Sequence, residues 1–245
     1  MEPLLVIIVM LVVVLAGFVQ GLVGFGSGLV MVPILVVFIE PLLLVPVVLL
    51  HGLIMNWSLT LGTRRHLEFR RILPILAGGI IGIPFGSALL IFLPQSILKI
   101  MIGVVVVVFG GALLLGASLK VRREGPLSFP LGIVSGVLNG SVSLSGPPII
   151  LFFSNQKLAK ENFRANLVFY FFALNVVTTL VFLLTGLITW DVLYLFSILL
   201  PAALIGTVMG SRISKKVDQK LFRRIALVLV IGAGILSLIT GIFSL

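Results

Sequence analysis

Polar residues are scarce in this chain, and where they cluster they sit beside glycine. Asn139, Ser141, Ser143 and Ser145 fall within seven residues, with Gly140 among them and Gly146, Pro147 and Pro148 directly after. A second group, Gln20, Gly24, Gly26, Ser27 and Gly28, lies near the N-terminus. With no cysteine and two separated histidines, these groups cannot build a thiolate site or a metal centre, and no Ser–His–Asp set is evident. What hydroxyls, amides and glycine backbone can do is donate hydrogen bonds. An anion taken from water into a membrane needs such donors to replace its hydration, and helix N-termini add free N–H groups and a positive dipole end. Residues 29–39 and 147–154 each read as a helix starting just after a break, so both could aim N–H groups inward. Pro147 and Pro148 lack that donor but suit a first helical turn.

The candidate ligands have simpler readings as well. Gly17, Gly21, Gly132 and Gly136 are spaced as small-xxx-small pairs and are read as packing residues. Ser27 and the 139–146 group are read as site residues, although serines can also satisfy neighbouring carbonyls. Asn56 and Asn175 lie inside apolar spans, either as helix glue or as ligands, and Gln20 stands similarly beside the first break. His51, mid-span, could titrate near neutral pH and couple transport to protons, or rest neutral on a carbonyl. Arg164, at the mouth of a span, could attract anions or anchor the chain at the interface, and Lys99 could be a snorkelling interfacial charge. No Asp or Glu lies inside a span, which disfavours a buried proton relay or cation site.

The elements that hold these residues must be membrane helices. The 245 residues are 60% hydrophobic and 10% charged, with mean hydropathy +1.35, against roughly 25% charged in a soluble domain. Apolar segments run at about 3–22, 29–39, 42–62, 72–93, 96–117, 127–138, 147–154, 165–187, 192–211 and 224–243. The +10 charge belongs to the loops between them and not to a nucleic-acid partner. Glu2, with no Lys or Arg before the first apolar run, is unlike the start of a cleaved signal peptide.

Prolines and glycines at this density break a helix, and a broken backbone at membrane depth survives only where protein or a water-filled cavity covers it. If each broken stretch is a hairpin returning to the side it entered, sixteen of the seventeen basic residues face one side. These are Arg64, Arg65, Arg70, Arg71, Lys120, Arg122, Arg123, Lys157, Lys160, Arg164, Arg212, Lys215, Lys216, Lys220, Arg223 and Arg224. The positive-inside rule makes that side cytoplasmic and puts both termini outside. Residues 127–138, rising roughly 18 Å against a ~30 Å core, are too short to cross.

The two broken stretches also align with each other. Gly17–Phe38 matches Gly132–Phe153 without a gap at an offset of 115 (132 minus 17). Asn56 matches Asn175 at 119, and Gly82, Gly86, Ser87 and Gly110 match Gly206, Gly210, Ser211 and Gly234 at 124. The expected fold is an all-α polytopic membrane protein, an inverted repeat of two halves. Each half has a broken-helix hairpin and three transmembrane helices: residues 1–119 (hairpin 3–39) and 120–245 (hairpin 127–154). Such repeats commonly hold substrate near the midplane between the halves.

At GLVGFGSGLVMVP, GVLNGSVSLSGPP, KENFRANLVFYFFALN and the GIPFGS and GTVMGS spans, the chain resembles the TauE/SafE family of sulfite and organosulfonate exporters. The resemblance covers nearly the whole chain. It departs from the family where Gly26-Ser27-Gly28 replaces a paired glycine, and where serine replaces several glycines in the second half. It implies a plasma-membrane permease for small sulfur-containing or carboxylated anions, without a cofactor. An anion channel of the same fold, a membrane enzyme and a scaffold are the rival readings. A homodimer is compatible with the sequence, and no residue marks its interface.

Overall fold

Segments that are apolar all round either lie in a core or face lipid, and in lipid the backbone must satisfy its own hydrogen bonds, which selects the helix. The computed structural model describes residues 3–116, 124–154, 156, 158–214 and 219–244. Among them are ten α-helices, one 3-10 turn and no strand. The helices are α1 (Pro3–Val23), α2 (Ser27–Leu35), α3 (Pro41–Thr63), α4 (Phe69–Phe92), α5 (Gln95–Leu114), α6 (Glu124–Val142), α7 (Gly146–Ser154), α8 (Lys160–Leu184), α9 (Trp190–Ile213) and α10 (Gln219–Ile242). Six of them are long and apolar enough to cross a membrane. The protein is an all-α polytopic membrane protein. Lys120, Arg122, Arg123, Lys157, Lys215, Lys216 and the expected boundary at 119/120 lie outside the described residues.

Local chemistry sets the ends. Pro41 opens α3 and Pro94 precedes α5, where a missing N–H costs nothing. Gly116 and Gly186 follow α5 and α8 with φ of 71° and 74°, the left-handed turn that closes a helix. The short limbs α2 and α7 are almost wholly buried. Protein therefore surrounds the interrupted backbone, as a break at membrane depth demands.

Glycine decides how the long helices meet. On α1, Gly17 lies on Ala203 and Gly21 on Thr207 of α9; Gly206 and Gly210 lie on Val14 and Phe18 in return. On α6, Gly132 and Gly136 lie on Ile75 and Gly79 of α4. A Cβ added at Gly136 would stand 2.0 Å from the Gly79 carbonyl oxygen, so these backbones touch. Contacts advance together along both partners, so α1 runs parallel to α9 and α4 parallel to α6. The other two pairs are antiparallel. Gly103 meets Leu238 while Gly110 meets Ile231 between α5 and α10. Gly52 meets Asn175 while Trp57 stacks near Phe172 between α3 and α8.

Three sequence expectations are corrected. The helix ends around the two breaks recur at an offset of 119, not 115: α1 and α6 end at Val23 and Val142, and α2 and α7 begin at Ser27 and Gly146. Gly132, Gly136 and Gly140 repeat every four residues, so matching Gly17 and Gly21 to the first two of them slips by one helical turn. The structural register pairs Gly17 with Gly136, Gly21 with Gly140 and Gln20 with Asn139. Secondly, α6 has 19 residues and runs through Asn139, Gly140 and Ser141. At ~1.5 Å per residue it rises about 28 Å, so its length no longer argues for a hairpin. The second limb of the first stretch is also shorter than expected, ending at Leu35 with turns at 36–38.

Candidate functional site

The first break turns on Gly24 and Gly26, at φ 94° and 105°; the second turns on Ser143, at φ 53°. Gly24 and Ser143 are 119 residues apart and hold equivalent places. The positive φ that glycine adopts freely at the first break is carried by a serine at the second, at some steric cost. Ser143 Oγ donates to the Val45 carbonyl of α3 at 3.0 Å, which ties the second tip down. The tips also touch each other: a Cβ on Gly28 would lie 2.7 Å from the Ser143 carbonyl oxygen.

Beside the tips, each hairpin sends an amide to an asparagine 36 residues further on. Gln20 Nε2 donates to Asn56 Oδ1 at 2.6 Å. Asn139 Nδ2 donates to Asn175 Oδ1 at 3.2 Å and to Thr178 Oγ1 at 2.8 Å. Gln20 Oε1 accepts the Ser27 backbone N–H at 3.0 Å, so the first N–H of α2 is already engaged. Both asparagines thus have their oxygens occupied. Among the described residues, neither Asn56 Nδ2 nor Asn175 Nδ2 has a protein acceptor. The two NH2 groups converge beside Gly52, whose added Cβ would lie 2.9 Å from Asn175 Nδ2 and 4.0 Å from Asn56 Nδ2.

These groups border a cavity of about 50 Å³. Its lining includes Gln20, Gly26, Ser27, Gly28, Asn56, Asn139, Ser143, Ser145, Gly146 and Asn175. Seven of these are polar side chains, and none is charged. Five sequence candidates stand elsewhere. Gly140 packs on Ile83 and Ser87 in the α4–α6 seam. Ser141 Oγ turns back to the Val137 carbonyl at 2.7 Å. Gly24 lies against the Arg164 side chain, and Arg164 Nη2 donates to the Gly21 carbonyl at 2.8 Å, near the end of α1. His51 is fully buried, with Nδ1 2.8 Å from the Val47 carbonyl oxygen and its ring edge-on to Phe196.

Sequence reasoning missed Gly52, Thr178 and Ser135. Gly52 precedes Asn56 by one helical turn, a spacing that could have served as a signal. Thr178 holds Asn139 in place, whereas Leu59, three residues beyond Asn56 as Thr178 is beyond Asn175, offers Gln20 no such acceptor. Ser135 Oγ donates to the Ser145 carbonyl at 2.8 Å, within a span of ten residues that only the fold closes.

Two interrupted helical stretches meeting at a polar, uncharged cavity inside a helical bundle define a polytopic membrane protein with a small polar cavity among its helices. Residues 9–237 match the family described as Sulfite exporter TauE/SafE, and the chain belongs to that family. It is 27% identical over 222 residues to a Cupriavidus necator protein named "Probable sulfite/organosulfonate exporter TauE", covering 88% of this chain and 86% of that one. No solved structure matches the chain.

Proposed function

We propose that the chain is a secondary transporter that exports a small sulfur oxyanion, sulfite or a short organosulfonate, bound in the cavity between the hairpin tips. The observation that carries this reading is the pair of asparagine NH2 groups, their oxygens occupied, converging on a cavity beside both breaks. Neutral donors held in that way suit an anion, and the family supplies its sulfur chemistry.

The two halves, 1–119 and 120–245, form an inverted repeat, and alternating access arises as they rock about the paired breaks. The helix directions support this. If α1 enters from outside and both hairpins return to the side they entered, α1 must parallel α9 and α4 must parallel α6. The equivalent helices α3 and α8, and α5 and α10, must then oppose each other. Those are the directions found. A second stretch that crossed the membrane would reverse α9 against α1. The basic loops then face the cytoplasm of a plasma membrane, with both termini outside. The touching tips favour a carrier over an open pore.

Counterflow in proteoliposomes tests the reading. Radiolabelled sulfite is expected to exchange with saturation, and Asn139→Ala is expected to abolish exchange while leaving the protein folded. Flux that rises without limit would mean a channel. Absence of flux from folded protein would overturn the substrate.

A further inference from the structure

We infer that the site takes its substrate as a monoanion, hydrogen sulfite or a sulfonate, and rejects dianions of similar size. The inference rests on the transport reading above and adds the charge state of the cargo.

The cavity lining contains no Lys, Arg or His and no Asp or Glu. The titratable groups of the helices around it are turned elsewhere. On α3, His51 is held at the Val47 carbonyl and against Phe196. On α8, Arg164 is bound to the Gly21 carbonyl, Tyr170 is buried against Phe171, and Glu161 lies exposed in the first turn. The lining residues of α1, α2, α6 and α7 include no ionisable side chain. A bound ion therefore meets amide, hydroxyl and backbone dipoles and no countercharge.

That matters because the cost of dehydrating an ion rises with the square of its charge, while its attraction to fixed neutral dipoles rises only in proportion. A singly charged ion can be compensated by converging N–H groups. A doubly charged one of the same radius loses more water than these dipoles return. Size admits an ion of either charge and leaves the selection to electrostatics. About 50 Å³ holds the equivalent of roughly three to five waters, enough for an oxyanion of four or five heavy atoms.

The hydrogen-bond pattern also accommodates a proton on the cargo. Asn139 uses both N–H groups on Asn175 and Thr178, which leaves its Oδ1 without a donor among the described residues. Asn139 borders the cavity beside the two free NH2 groups. Hydrogen sulfite can donate its proton to that oxygen and accept from both amides. The sulfite dianion has no proton to donate, and neither has a sulfonate, so this contact adds to the binding of hydrogen sulfite and is not a condition for binding a monoanion.

The test uses the full chain in proteoliposomes, with subsaturating sulfite and, separately, methanesulfonate, a monoanion at every pH used. Flux is measured one pH unit below and one unit above the second ionisation of sulfurous acid. At fixed total concentration, sulfite flux is expected to fall about tenfold across that interval, following the hydrogen sulfite fraction. Methanesulfonate flux is expected to stay constant, and excess thiosulfate or sulfate is expected not to inhibit either. Sulfite flux that is unchanged or rises, inhibition by the dianions, or a parallel fall with methanesulfonate would each overturn the inference. The parallel fall would assign the pH effect to the protein. If neither labelled anion moves, the transport reading itself falls, and the inference falls with it.

Discussion

Asn56 and Asn175 each surrender an oxygen to a neighbouring amide, and this fixes which end of the side chain meets the cavity. An Asn175→Asp protein keeps the shape but replaces the free NH2 with an acceptor. Losing a buried hydrogen bond to a charged partner costs about 1.5–3 kcal/mol, so sulfite exchange should fall at least tenfold, with Asn175→Ala milder. Equal loss in both would show that only the volume of the side chain matters. The asparagines were legible in the sequence as an unusual polar pair in apolar spans; their hydrogen-bond partners were not, because Gln20 and Asn139 are equivalent only in the register that the fold sets. Ser141 misled for a physical reason. Alternate serines at 141, 143 and 145 share a face only in extended chain. The helix continues to Val142, and there a serine finds the carbonyl four residues back.

Among the elements, the seams between α1 and α9 and between α4 and α6 depend on backbones in direct contact. Gly136→Ala would press a methyl group onto the Gly79 carbonyl and should cost about 1–3 kcal/mol of stability, seen as a lower melting temperature in detergent. Gly232→Ala, where an added Cβ meets nothing within 4 Å, is the control and should leave the melting temperature unchanged or slightly raised. Equal behaviour of the two would contradict the seam. Close packing at these glycines was legible from their spacing alone. The register between the hairpins was not, because a run of glycines every fourth residue matches itself after one turn. Nor could spacing show that the seams join α1 to α9 and α6 to α4, since only the three-dimensional fold brings such distant segments together.

For the whole molecule, the four helix-pair directions tie topology to transport. Single cysteines in this cysteine-free chain should report it. His66→Cys and Ala159→Cys, both exposed between helices, should react with an impermeant reagent from one side, and Gln95→Cys and Gly186→Cys from the other. Reaction of His66→Cys and Ala159→Cys from opposite sides would mean that the second broken stretch crosses the membrane. The apolar runs made the spans readable from sequence, while the extent of α6 was not, because it proved longer than its polar end suggested. The central claim is that an anion occupies the cavity between the tips, and ligand protection at Ser145→Cys tests it most directly. Methanesulfonate, which spares thiol reagents where sulfite would consume them, should slow labelling of Ser145→Cys in a saturable manner and leave His66→Cys labelling unchanged. Labelling of Ser145→Cys at the same rate with and without the anion would contradict the account.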